Sequence, residues 1–206
     1  MAKRIVILIM FLGILHFASA QRFEGGLLGG FNASQVEGDG FKGYNKPGIL
    51  AGFYVQTDVA PAVFTGLEIK FSQKGSRKRI KKDDPDPVKY IMRLNYIDIP
   101  LFIGFRTNER GAVVAGVSAG YLISGREFNE YGEFVKEDQN PFKNFDLEPF
   151  LGFQFAMLDN VDLDLRFALS VLPIRGQPGD NATTSYWLNN QFNNVISLAL
   201  YYRLDR

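Results

Sequence analysis

Apolar and polar residues alternate in eight segments of this chain, each about ten residues long or longer. In the clearest segment, Val161, Leu163 and Leu165 alternate with Asp162 and Asp164. A period of two places successive side chains on opposite faces of a β-strand, so each segment predicts a strand with one apolar face and one polar face. The predicted strands are 23–34, 48–58, 62–73, 90–106, 111–124, 144–157, 160–172 and 194–204.

The connections between these segments alternate between long and short. The short ones are tight turns at 58–61, 107–111 and 158–160. The long ones are polar and rich in Gly, Pro, Asn, Asp and Lys, and they cover 35–47, 74–89, 125–143 and 173–193. This pattern, with an even number of strands, is typical of an up-and-down antiparallel meander that closes into a barrel.

The apolar faces carry many aromatic side chains, whereas several opposite faces carry full charges. The interior of an eight-stranded barrel is only just wide enough for side chains, so these apolar faces would overfill it. Turned outward, they form a lipid-facing band, because a tilted strand of about 9–11 residues crosses a bilayer. The sequence therefore predicts an all-β, eight-stranded antiparallel transmembrane β-barrel with long extracellular loops and short periplasmic turns. A soluble, secreted ligand-binding barrel is the alternative.

The first twenty residues read as a signal peptide rather than as part of the barrel. Lys3 and Arg4 form the positively charged n-region of a signal peptide. The apolar stretch at 5–15 is too short to span a bilayer as a helix. The small residues 18–20 form a cleavage site, so we expect export through the Sec pathway and cleavage after Ala20. The barrel domain is then 21–206, in the cell outer membrane.

Cysteine is absent, and the single histidine, His16, lies in the signal segment. The mature chain therefore cannot form a thiolate metal site. It also cannot use histidine for nucleophilic or acid–base catalysis. The formal net charge is +1, which gives no strong field to attract nucleic acid. We expect no enzyme activity, no cofactor, no metal and no nucleic-acid partner.

Charged residues on the polar strand faces predict a network of mixed sign inside the barrel. Acidic residues two apart could instead act as acid and base or bind a hard cation, but the neighbouring cations favour neutralisation. The expected lumen network is Glu68, Lys70, Arg93, Asp98, Asp146, Glu148, Asp162, Asp164 and Arg166.

A second charged feature is the basic run in the second long connection, followed by an acidic stretch that begins at Asp83. One interpretation is a surface patch that binds lipid A phosphates or an acidic partner, and the other is a solvated loop whose two halves balance. The patch consists of Lys74, Arg77, Lys78, Arg79, Lys81 and Lys82.

Three segments resemble a known family. The segment 96–105, YIDIPLFIGF, resembles a characteristic strand of the PorT-like outer-membrane β-barrel family of Bacteroidota. The segment 115–123 resembles the strand that follows it there, and 25–32, GGLLGGFN, is similar to the family's opening strand. The resemblance covers essentially the whole chain from residue 21 onward and implies a porin-like membrane barrel. It also implies a link to type IX secretion, by analogy of fold alone.

Three functions follow as hypotheses. The leading one is a structural or interaction subunit, or an accessory, of an outer-membrane complex that serves protein secretion or assembly. Its expected partners are outer-membrane lipid or lipopolysaccharide and other outer-membrane proteins. The second hypothesis is a narrow porin-like channel, and the third is the soluble ligand-binding barrel.

Overall fold

A computed structural model describes residues 22–78, 89–135, 140–176, 186–187 and 189–204. The predicted signal segment lies outside these residues. Within the described part of the chain, no helix is long and apolar enough to cross a membrane. The strands are β1 (Phe23–Glu37), β2 (Lys46–Ala60), β3 (Val63–Arg77), β4 (Ile91–Arg106), β5 (Gly111–Asn129), β6 (Gly132–Glu133), β7 (Phe145–Leu158), β8 (Val161–Leu169), β9 (Arg175–Gly176) and β10 (Asn190–Arg203).

Eight long strands form a closed antiparallel barrel in the order β1-β2-β3-β4-β5-β7-β8-β10. The barrel closes where β10 pairs with β1, in a register that runs from Gly26 opposite Arg203 to Glu37 opposite Phe192. Closure removes the free strand edges, so backbone groups in the barrel wall find partners within the sheet. The predicted strand number, pairing and meander order are confirmed.

The apolar faces of the strands point outward. Phe31, Phe53 and Leu101 are 68%, 66% and 61% exposed, whereas the charged side chains of Glu68 and Asp98 are buried in the lumen. A barrel with this surface needs an apolar solvent around it, because a soluble protein rarely leaves so large an apolar area in contact with water. The alternative of a soluble barrel with its apolar face inward is therefore wrong.

Several strands extend further at the long-loop end than the sequence pattern predicts. β3 runs to Arg77 and β5 to Asn129, each several residues beyond the predicted boundary. Backbone pairing between neighbouring strands continues above the apolar band. There the apolar and polar side chains no longer alternate as they do in the membrane-spanning part. The second long connection therefore begins after residue 77 rather than at residue 74.

Two local features shape the barrel wall. At Gly30 of β1, an added Cβ would lie 2.1 Å from the carbonyl oxygen of Leu198 on β10, so only glycine allows the two strands to approach this closely. On β4, the proline at 100 has no N–H to donate, and the β3–β4 ladder skips it without changing register between Leu67↔Leu101 and Lys70↔Asp98.

Candidate functional site

Lys74 lies at the centre of the outer half of the lumen. Its Nζ is 2.9 Å from Oδ2 of Asp98 and 2.5 Å from Oε2 of Glu148, and all three side chains are buried. Nearby, Asp146 accepts a hydrogen bond of 2.9 Å from Ser170 Oγ. Charges removed from water in this way must be paired, because an unpaired buried charge is costly.

Arg166 organises a second group deeper in the lumen. Its Nη2 lies 2.7 Å from Glu68 and its Nε 2.8 Å from Asp164. Glu68 also receives Lys70 Nζ at 3.1 Å and a hydrogen bond of 2.8 Å from the Tyr201 hydroxyl. The guanidinium carbon of Arg166 stands over three aromatic rings, at 4.7 to 5.5 Å from their centroids. Its planar shape suits both the two carboxylates and the rings.

These two groups fill the middle of the barrel. The cavity between them has a volume of about 20 Å³, which is room for roughly one water molecule. Its walls include Lys70, Lys74 and Arg166 together with Asp98 and Glu148. The lumen at this level is therefore a packed ion-pair network rather than a water-filled passage.

The chain seals the long-loop end of the lumen with the residues that follow β8. Ile174 is completely buried and packs with Met92, Leu94, Tyr96 and Val36 in an apolar layer across the barrel mouth. Its backbone is held on both sides, since Ile174 N–H donates to Gln191 O at 2.8 Å and its carbonyl accepts from Lys143 N–H at 2.7 Å. We call Ile174 and Arg175 the outer plug.

Arg175 fastens the outer plug to the barrel wall. Its Nη1 and Nη2 each lie 2.8 Å from an oxygen of Glu127 on β5, and its Nε donates to Gln191 at 2.6 Å. Tyr90 donates a short hydrogen bond to the same carboxylate. Burial, the hydrogen bond to Glu127 and that residue's charge raise the pKa of Tyr90. Burial alone would lower the pKa of Arg175, but the contacts with Glu127 outweigh it and raise that pKa.

The short-turn end of the barrel is open by comparison. A cavity of about 440 Å³ lies there, among the turn residues 108–111 and the inner ends of the strands. Arg203 crosses part of it, with Nε 3.1 Å from Glu24 and Nη2 3.3 Å from Asp162. Arg106 pairs with Asp58 at 2.6 Å at the rim, where both side chains are partly exposed. The cavity therefore has a lining of mixed charge at the short-turn end of the barrel.

The structure places most of the expected lumen residues inside the barrel, with two differences. Asp162 lies with Arg203 in the cavity at the short-turn end. Arg93 is on the outward face of β4, so its expected place in the lumen is corrected. Arg93 shares the outward face with Ile97 and Ile99. The period of two along the strand places its side chain on the other face from Asp98, which points into the lumen. Among the described residues, the buried charges in the middle of the lumen are Glu68, Lys70, Lys74, Asp98, Asp146, Glu148, Asp164 and Arg166.

The expected surface patch is also revised. Lys74 belongs to the lumen, because β3 continues to residue 77 and its inward positions run through 68, 70, 72 and 74. Arg77 is exposed at the outer end of β3, and Lys78 follows it. The remaining residues, Arg79, Lys81 and Lys82, lie outside the described residues.

The acidic pairs have cations and donors of the protein itself around them. Within the described ranges, no group of three or more His, Cys, Asp or Glu residues has a geometry that could hold a metal ion. Glu148 contacts Lys74, and Asp146 accepts from Ser170 and from Asn193 at 2.8 Å. A cation would have to compete with these contacts.

Sequence reasoning missed Lys74 as a lumen residue and missed the outer plug entirely. Continuing the alternation of β3 by one residue beyond the predicted end at 73 would have found Lys74. Nothing in the sequence links Glu127 with Arg175, because both lie in connections read as loops and are 48 residues apart. Only the folded barrel brings these two loops to the same place.

A family model for the outer membrane protein β-barrel domain matches residues 17–175. The chain belongs to this family. Together with the apolar outer surface, the match places the protein in the outer membrane. The long loops are then extracellular and the short turns periplasmic, as in other barrels of this kind. No curated protein sequence matches the chain.

Two solved structures share the architecture. The attachment invasion locus protein Ail of Yersinia pestis, solved in complex with the heparin analogue sucrose octasulfate, is 15% identical with a TM-score of 0.51. Neisserial surface protein A is 11% identical with a TM-score of 0.50. Each comparison covers 89% of this chain and 99% of the other. At these identities the likeness shows the fold alone.

Proposed function

We propose that this protein is a non-enzymatic outer-membrane barrel that acts as a structural or interaction subunit, or an accessory, of an outer-membrane protein complex. The observation that carries the proposal is the closed lumen. A packed ion-pair network fills the middle of the barrel, and Ile174 closes the extracellular mouth. A solute would have to displace both, so the barrel is better suited to contact with partners than to transport.

The extracellular rim offers a surface for such contact. Aromatic side chains from three connections meet there, with ring centroids 4.9 Å apart for Phe41 and Tyr90 and 6.4 Å apart for Tyr90 and Phe134. Beside them, Tyr131 is 90% exposed and Val135 is 60% exposed. Exposed tyrosine and other aromatic side chains are enriched among the anchor residues of protein interfaces.

The kind of complex is proposed from the resemblance of 96–105 to the PorT-like family of Bacteroidota. That resemblance favours a complex for protein secretion or assembly, in particular type IX secretion. The narrow porin is the competing function, because a lumen lined with charges of both signs would also suit ions if both the outer plug and the ion-pair network rearranged.

Two measurements test the proposal. In planar lipid bilayers, the purified protein is expected to give no stepwise conductance, whereas regular ohmic steps would replace the proposal with the narrow porin. In cells, a photo-crosslinking residue in place of Tyr131 is expected to capture a discrete protein partner. The matched control replaces Leu101, which is 61% exposed but faces lipid. An equal yield of protein adducts at both positions, or none at Tyr131, would contradict the interaction role.

A further inference from the structure

Two arginines face each other on the outward surface of β4 and β5. Arg93 and Arg126 are direct partners in the antiparallel register, and both are exposed. Directly opposed residues have Cβ atoms about 4.5–5.5 Å apart, and like charges at this spacing destabilise a sheet. An anion held between the two guanidinium groups would remove this repulsion.

The two arginines lack close anionic partners among the described residues. Arg93 lies over the Phe128 ring, with 5.3 Å between its guanidinium carbon and the ring centroid, and it has no ion pair there. Arg126 has one long contact, 3.8 Å from its Nε to Glu133, and both side chains are about half exposed. Arg77, exposed at the end of β3, adds a third positive charge nearby.

The neighbouring position on β3 carries no side chain beside Arg93. Its register partner is Gly75, whose φ is +128°. An added Cβ would lie 2.2 Å from the carbonyl oxygen of Met92, so this position accommodates only glycine. No side chain from this position covers Arg93 on that side.

The pair lies at the outer edge of the lipid headgroup layer. Below Arg93 on the outward face of β4 comes Asn95, which accepts a hydrogen bond of 3.0 Å from Gln73, and then the apolar Ile97. Four residues of a strand tilted by about 40° raise Arg93 about 10 Å above Ile97. The headgroup layers add about 10–15 Å in total, which is about 5–8 Å on each side of the hydrocarbon, so the backbone of Arg93 lies just beyond the outer headgroups. The long arginine side chains can reach back down to them.

We propose that Arg93 and Arg126, flanked by Arg77, bind a phosphate group of an outer-leaflet glycolipid of the lipid A type. Guanidinium groups donate paired hydrogen bonds to phosphate oxygens, and two of them match the charge of a phosphate monoester. The site is on the lipid-facing wall, so it functions independently of the lumen and of any complex.

The test measures lipid binding to the purified full-length protein by native mass spectrometry from detergent micelles. The probes are bisphosphorylated lipid A and the same lipid after enzymatic removal of its phosphates. The double variant Arg93→Gln/Arg126→Gln is compared with Arg110→Gln, which removes a charge from an exposed arginine in a periplasmic turn. A boiled and unboiled gel of each variant checks that the barrel is closed.

The double variant is expected to bind bisphosphorylated lipid A at least about tenfold more weakly than the native protein, and Arg110→Gln is expected to bind as the native protein does. The native protein should bind the lipid without phosphates more weakly by the same factor. Equal binding of both lipids, or no loss in the double variant, would overturn the proposal. Displacement of the lipid by millimolar inorganic phosphate would show that free phosphate, not the lipid, is the preferred ligand, and would overturn it as well.

Discussion

Replacing Arg166 by methionine tests whether the lumen network stabilises the barrel. The change keeps most of the side-chain volume against the three aromatic rings but removes the cation that pairs with Glu68 and Asp164. Glu68 retains Lys70 at 3.1 Å. Asp164, whose side chain is only 2% exposed, loses the cation 2.8 Å away. Leaving one buried charge without its partner costs about 3–5 kcal/mol, so Arg166→Met should lower the free energy of unfolding by that amount.

A second substitution separates this cost from simple loss of packing. In the double variant Arg166→Met/Asp164→Asn, no charge is left alone, so we expect about 2 kcal/mol or more of the loss to be recovered. The matched control is Arg106→Met, which breaks an ion pair of similar length, 2.6 Å to Asp58, between side chains that are 37% and 65% exposed. In water this pair is expected to contribute less than about 1 kcal/mol.

Urea titration of the protein folded in lipid vesicles measures these differences. The folded fraction is read from the band shift of unboiled samples, and the free energy of unfolding comes from linear extrapolation. The reasoning would be refuted if Arg166→Met cost no more than Arg106→Met. It would also be refuted if the double variant were as unstable as Arg166→Met alone.

Three further outcomes are expected. Gly30→Ala should lower the free energy of unfolding by about 1–3 kcal/mol, because its Cβ would meet the backbone of β10. The control Gly29→Ala has open space around its Cβ and should be close to neutral, so equal urea midpoints for the two variants would contradict the close approach of β1 and β10 at Gly30. Glu127→Gln should speed amide hydrogen exchange in the outer plug, because it breaks the ion pair with Arg175, and unchanged exchange would show that apolar packing alone holds the plug. Burial and Glu127 raise the pKa of Tyr90 in the folded state, so the stabilisation by its protonated hydroxyl is complete below about pH 10 and is lost as pH rises through the folded value. Hydroxide speeds the intrinsic exchange of every amide, so the measured quantity is the protection factor of the plug amides, which is expected to fall above about pH 10 in the native protein and to stay constant in Tyr90→Phe.

Much of the fold follows from local rules that act on short stretches of chain. A period of two fixes which side chains share a face, so the eight long strands and their outward apolar faces were predictable from the residues. The same rule extends to Arg93, which shares the parity of Ile97, and to Lys74, which shares the parity of Lys70. The errors at these two residues came from assuming that every charge near a strand belongs to the lumen and that a strand ends where its hydrophobic alternation ends.

The sequence by itself determined the class of fold, the number of strands and the faces that meet lipid, because these depend on residue order along each strand. The tertiary structure decided which charges pair, because pairing depends on the strand register and tilt that bring Lys74 to Glu148 across 74 residues of chain. It also decided that the lumen is sealed at its extracellular mouth. Ile174 and Arg175 come from a connection with no strand pattern, and only the finished mouth supplies the apolar layer and the Glu127 carboxylate that hold them in place.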